Sequence, residues 1–417
     1  MLKLKKIAYK WELVILLWLA LFFNQADRQV FNVVLPAIRD DLGLTDANMG
    51  LIATVLLLVC GLLVPVAGIA GDRCNKKNII LVSLLVWSGA TLVTGMSCSL
   101  WHLILLRSVA TGGGEAFYFP AASALIGESH EKTRATALSI HQTAVYVGII
   151  CSGYLAGMIA DAYGWRMAFY TFGGFGIILA FVLYNRLRDS VVQKKDGAGL
   201  VPRAGVKDLA VAIFKKPSFI LLALAFAGMN FAGVGFLVWM PTFLHEKYGF
   251  TLSRAGFDAT FYHHIAAFVG VLAAARITDF LTYKMKRIRV IVSMLGLFAG
   301  APFICLMGKS GSLPVLYVAL VLFGFFRGVY ESNLWASLYD IIDVRHRSAA
   351  TGFMLAFGLV IGALAPYILG ILKPAFGLAN GFACLSAVYV CSGLCILISV
   401  LFFYQRDLRP TALLSDV

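Results

Sequence analysis

Apolar stretches of about 20 residues recur along the whole of this chain, each long enough to cross ~30 Å of hydrocarbon as an α-helix rising ~1.5 Å per residue. Twelve are read, over residues 12–34, 48–70, 78–98, 101–126, 136–160, 167–187, 217–240, 256–278, 289–308, 313–337, 349–373 and 380–404. The composition agrees, with 60% hydrophobic and 13% charged residues in 417. The chain is therefore expected to be an all-α membrane protein of twelve transmembrane helices.

Basic residues are retained on the cytoplasmic side of a membrane, so their distribution orients the chain. Of its 35 lysines and arginines, 26 lie on, or within two residues of, the amino-terminal segment, the even-numbered connections and the tail, and six lie on, or at the edge of, the odd-numbered connections. Both termini are thus expected in the cytoplasm, and the formal charge of +14 reflects topology rather than a nucleic-acid partner. Lys3 to Lys10 lead into a span without a small-residue cleavage site, so the first helix is expected to be retained. The eight cysteines lie mostly within spans and lack metal-ligand spacing, as small apolar packing residues do.

The organisation expected is a six-helix bundle over 1–187, a basic cytoplasmic linker over 188–216, a second six-helix bundle over 217–404 and a cytoplasmic tail over 405–417. Amphipathic character near Val206 to Phe214 points to a short surface helix within the linker. The halves echo one another as a parallel repeat should. Gly68 to Lys77 is matched by Arg276, Asp279, Lys284, Lys286 and Arg287, while Gly112 and Tyr118 are matched by Gly324 and Tyr330 at a constant offset.

The three remaining arginines, Arg28, Arg107 and Arg327, fall inside spans near three carboxylates, Asp27, Glu115 and Glu331. A charge at bilayer depth costs about 2.5–3.5 kcal/mol or more, so it is kept where it faces a polar cavity or a partner. Asp27 and Arg28 are adjacent and diverge by about 100° around a helix, so each needs its own partner. Arg107, Thr111 and Glu115 form an i, i+4, i+8 stripe. A guanidinium stays charged and offers a planar fork to an anion, whereas a carboxylate beside it can exchange that partner for a proton. Arg28 and Arg107 are accordingly expected to bind the anionic group of a substrate, with Asp27 and Glu115 as proton sites. The competing expectation is fixed ion pairing of Asp27 with Arg107, or of Glu115 with Arg28.

The segment Gly68-Ile-Ala-Gly71-Asp72-Arg73-Cys74-Asn75-Lys76-Lys77 resembles the signature loop between helices 2 and 3 of the major facilitator superfamily, with Asn75 where glycine is commonest. That resemblance implies a major facilitator fold of two pseudo-twofold-related bundles working by alternating access. It also implies a conformational latch from Gly68, Asp72, Arg73, Lys76 and Lys77, with Asp279 as the counterpart in the second half. Within the superfamily, Asn24-Gln25-Ala26-Asp27-Arg28, Arg107 followed by Gly112-Gly113-Gly114-Glu115-Ala116-Phe117-Tyr118, and Gly164-Trp165-Arg166 resemble the anion:cation symporter and spinster-like families. Helix 5 lacks the Gly-Pro pair of drug:proton antiporters. The resemblance implies a proton-linked carrier of organic anions such as hexuronates, aldonates or sialic acid or, for spinster-like members, of lysolipids and sphingolipids.

Other candidates for substrate contact are Asn24, Tyr118, Gln142 and Tyr146 in the first half and Asn230, His264, Arg327, Glu331, Asn333 and Trp335 in the second. Arg327 and Glu331, four apart, can equally form an intrahelical salt bridge. Of His263 and His264, one at most should face a cavity, and Trp335 and Tyr330 offer an aromatic platform for a sugar. No phosphate-binding glycine loop, metal spacing or nucleophile elbow is present, so the chain reads as a transporter and not an enzyme, driven without cofactors by a proton gradient. The expected setting is a monomer in a prokaryotic inner membrane, partnered by protons, a small organic anion and membrane lipids. A receptor without turnover is a further alternative.

Overall fold

The computed structural model describes residues 8–130, 133–188, 214–282, 285, 287–343 and 346–408. Its regular structure is helical throughout these residues. The helices are α1 (Tyr9–Leu42), α2 (Asp46–Arg73), α3 (Lys76–Thr94), α4 (100–129), α5 (Arg134–Tyr163), α6 (Trp165–Arg186), α7 (Pro217–Tyr248), α8 (Leu252–Thr282), α9 (Ile288–Lys309) and α10 (Leu313–Ile341), followed by α11 (347–376) and α12 (378–407). The last two are continuous in hydrogen bonding but separated by Gly377, whose φ of 70° is left-handed and reached cheaply by glycine alone. Each helix overlaps one of the twelve expected spans; several, such as α1 and α7, run well past it, while α3 ends at Thr94, short of the expected 98. The expected linker, apart from its ends, lies outside the described residues, as do Lys284, Lys286 and most of the tail.

Short polar side chains set the helix starts. Thr45 accepts from the Asn48 N–H at the head of α2, Asn75 from Asn78 at the head of α3, and Ser99 from His102 at the head of α4. The departure from glycine at Asn75 therefore has a physical role, because the amide caps α3. Beyond it, Lys76 pairs with Glu128 of α4 at 3.1 Å and Lys77 donates to the Tyr184 carbonyl of α6 at 3.0 Å. The side chains of Asp72 and Arg73 lie outside the described set, and Asp279 is exposed near the end of α8.

Contacts gather the chain into two units. Unit 1 takes Met1–Gly197, Leu237–Thr260 and Pro366–Ile371; unit 2 takes Ala198–Phe236, Phe261–Ala365 and Leu372–Val417. The core of unit 1 packs Leu13, Leu17 and Ala20 of α1 against Leu84 and Trp87 of α3, Tyr118, Ala122 and Leu125 of α4, Ala144 of α5 and Leu183 of α6. Glycines bring α4 close to its neighbours: a methyl at Gly112 would lie 2.9 Å from the Leu56 carbonyl oxygen, and one at Gly114 2.9 Å from the Trp87 nitrogen. Gly112 and Gly114 are thus packing positions, whereas a methyl at Gly113 would meet only Leu63 Cδ1, at 3.9 Å. The core of unit 2 is aromatic, with Phe236, Phe323, Phe382 and Tyr389 in successive ring contacts.

At the end of unit 1 opposite the signature loop, polar contacts close over the helix termini. The Asp161 carboxylate accepts from the Leu252 and Ser253 N–H groups and the Ser253 hydroxyl at 2.8–3.0 Å, an anion at the positive end of α8. Arg39 pairs with Asp40, Asp46 and Glu246, and Arg166 with Asp41. Gly153 and Gly256 pack backbone to backbone beneath them.

Candidate functional site

The expected charges of helices 1 and 4 meet inside unit 1. Arg28 Nε donates to Glu115 Oε2 at 2.6 Å, with the Glu115 side chain fully buried and that of Arg28 33% exposed. The guanidinium thus covers the carboxylate. Cys60 of α2 completes the setting: its thiol lies 3.2 Å from the Gly112 carbonyl, 3.5 Å from Arg28 Nη2 and 3.9 Å from Glu115 Oε2. Cys60 is expected only as a packing residue, because its spacing does not distinguish it from the other span cysteines.

Asp27 turns to a different neighbour, as adjacency requires. Its Oδ2 accepts from Thr91 of α3 at 3.1 Å. Arg107 Nη2 donates to the Asp27 backbone carbonyl at 2.6 Å and its guanidinium lies 5.6 Å from the Phe31 ring. Of the two expected ion pairs, Glu115 with Arg28 is formed, and the contact of Arg107 is to the backbone of Asp27 rather than its carboxylate. Arg107, expected with Arg28 to bind the anionic group of a substrate, is only 2% exposed. It lies in a π-helical segment, Ile104–Ala110, and the N–H and Oγ1 of the following Thr111 both donate to the Leu106 carbonyl five residues back. The wider turn breaks the regular stripe between Arg107 and Glu115. Asp27 Oδ1, Glu115 Oε1 and Arg107 Nε and Nη1 are buried without a protein partner, so the polar capacity of this cluster is not used up by the fold.

Several other candidates are placed elsewhere. Tyr118, expected in substrate contact, is fully buried in the core of unit 1, bonded to the Leu17 carbonyl at 2.5 Å and edge-on to Trp87. Tyr118→Phe is expected to cost about 1–2 kcal/mol of stability through that lost bond and to change substrate affinity less than about twofold, checked by thermal unfolding beside a binding titration. Asn24 is buried, its carbonyl accepting from Gln25 at 3.0 Å. On α5, Gln142 is exposed and Tyr146 half-buried.

In unit 2, Arg327 Nε pairs with Glu331 Oε1 at 2.9 Å, the intrahelical bridge anticipated from their spacing. Arg327 Nη1 also lies 3.0 Å from Nε2 of His263, the neighbour of the expected His264. Trp335 is half-buried with its ring 5.5 Å from that of Phe226, and the Asn230 amide donates to the Phe226 carbonyl. Asn333 is buried and bonded to Ser332, and Tyr330 is buried with its backbone carbonyl accepting from Ser293 of α9.

Residues 17–366 match the family profile described as Major Facilitator Superfamily. The chain belongs to the Major Facilitator Superfamily. It is a multi-span membrane transporter of that class and not an enzyme. It is 24% identical over 91% of its length to a hexuronate transporter of Bacillus subtilis, covering 94% of that protein. It is 25% identical over 93% of its length to a D-galactonate transporter of Escherichia coli, covering 94% of it. Protein spinster homolog 1 of Homo sapiens is 30% identical over 84% of this chain, with 70% of the human protein covered. Among solved structures, a bacterial homolog of the human lysosomal transporter spinster superposes with a TM-score of 0.84 at 21% identity, over 98% of this chain and 100% of the other. The major facilitator fold expected from the signature loop is therefore the observed one.

Proposed function

We propose that this Major Facilitator Superfamily protein is a proton-coupled symporter of a small organic anion, with sugar acids such as hexuronates and aldonates leading, working by alternating access. The observation that carries the reading is the asymmetry of the Arg28 and Glu115 pair, an Arg28 side chain one-third exposed over a fully buried Glu115. An incoming carboxylate that takes Arg28 leaves Glu115 a buried charge without its partner. Breaking such a pair costs about 3–5 kcal/mol, a cost that a proton on the stranded carboxylate relieves. Anion and proton are then carried together, since the bound state of one stabilises that of the other. Asp27, with a second unpartnered oxygen, is the other proton site.

The hexuronate and D-galactonate transporters among the relatives support the anion class. The distribution of lysine and arginine supports cytoplasmic termini, and the setting proposed is a prokaryotic inner membrane. The signature loop, with Lys76 and Lys77 engaged on α4 and α6, is proposed to latch one conformer. A second reading, a spinster-like lysolipid carrier, is supported by the 30% identity to the human spinster homolog.

Proteoliposome uptake of labelled glucuronate, galactonate, gluconate and sialate, with and without an inward proton gradient, tests the first reading. Gradient-stimulated accumulation of any one supports it. If folded protein accumulates none of them and moves lysophosphatidylcholine instead, the lipid reading replaces it.

A further inference from the structure

The charged cluster of unit 2 is built differently from that of unit 1. Arg327 sits near the middle of α10, and the exposed apolar residues nearest it on that helix are Val315, Val318 and Val321. At about 100° per residue their mean direction, that of Val318, is roughly 180° from Arg327. Those valines suit hydrocarbon, so Arg327 and Glu331 are exposed on the opposite, interior side, where an intramembrane charge is tolerated.

Two features fix what this surface can bind. The side chains of Arg327 and Glu331 are exposed to nearly the same degree, 24% and 29%, so a ligand can touch donor and acceptor together. In the pair of Arg28 with Glu115 only the cation is accessible. The unit 2 pair is also self-neutralised, so it adds neither a second anion site nor a cation site. A guanidinium beside a carboxylate suits hydroxyl groups, which accept from the one and donate to the other. His263 orients the fork: guanidinium groups only donate, so His263 Nε2 accepts and its proton resides on Nδ1. Gly233 of α7 borders the same guanidinium, a methyl there lying 3.7 Å from its Cζ. Trp335, one turn beyond Glu331, adds an apolar ring on that side of α10.

We propose that Arg327 and Glu331, with His263 as positioning residue, form a subsite for vicinal hydroxyl groups of the transported anion. The assignment rests on the organic-anion reading above and narrows it to polyhydroxylated acids. The test is competition by D-galactonate and by hexanoate, both six-carbon monocarboxylates, against labelled galactonate counterflow in wild type, Glu331→Gln, Gly233→Leu and Arg28→Gln. Thermal unfolding confirms that each variant is folded. Wild type is expected to prefer galactonate by about 100-fold or more. Glu331→Gln and Gly233→Leu are each expected to reduce that preference about tenfold, chiefly by weakening galactonate, while hexanoate changes less than about threefold. An unchanged preference in both folded variants, or equal weakening of both acids, overturns the subsite and leaves the anion reading standing. Absence of counterflow in wild type with every one of galactonate, gluconate, glucuronate and sialate, or counterflow indifferent to Arg28→Gln, overturns the anion reading and the subsite with it.

Discussion

Glu115→Gln is expected to abolish proton-driven accumulation of the substrate while leaving counterflow, exchange of labelled for unlabelled anion, at about half of wild type or more. Glutamine keeps the volume and one acceptor at the position that meets Arg28 Nε, so the guanidinium stays placed. It removes the group that would exchange a cation for a proton. Because the introduced amide is permanently neutral, Arg28 loses its internal competitor, and anion affinity should hold or rise a few-fold. The two assays on one preparation separate coupling from binding. Loss of both would mean that Glu115 serves folding or binding alone.

Arg28→Gln is expected to lower anion affinity at least about 100-fold. A charge-assisted hydrogen bond is worth about 1.5–3 kcal/mol, and a carboxylate on a guanidinium fork forms two, at about 1.4 kcal/mol per decade. The substitution also strands the fully buried Glu115. The single variant should therefore be destabilised by about 3–5 kcal/mol at neutral pH, and the double variant Arg28→Gln/Glu115→Gln should recover most of that loss. Equal melting temperatures for single and double variants would show that the pair is not energetically coupled. Unaltered anion affinity in the single variant would remove Arg28 from the binding site.

The twelve spans were legible because hydrocarbon thickness imposes a length and a composition that the chain states openly. The pairing of Arg28 with Glu115 was legible for a similar reason, since charges in spans need partners and there are few. Adjacency alone also required Asp27 to find a neighbour other than that of Arg28, which proved to be Thr91. Other parts were hidden. Nothing in Ile104 to Ala110 announces i→i+5 bonding, so a regular stripe was expected where Arg107 in fact turns to a backbone carbonyl. Tyr118 sits in a motif shared with the spinster-like family but faces the core, because position along a helix does not fix which neighbour covers it. Cys60 and His263 owe their places to helix packing at long range, through α2 against α4 and α8 against α10. Asn75 shows the reverse, an apparent lapse from a family pattern that local capping explains.

The central claim, that an anion displaces the internal carboxylate and brings a proton with it, is tested most directly by following pH as substrate runs downhill. Proteoliposomes in weakly buffered medium, with no imposed proton gradient and the membrane potential clamped by valinomycin and potassium, receive an excess of external galactonate. The account predicts alkalinisation of the medium that is carrier-dependent, saturable in galactonate and absent in Glu115→Gln. Galactonate entry at full rate with no movement of protons would contradict it.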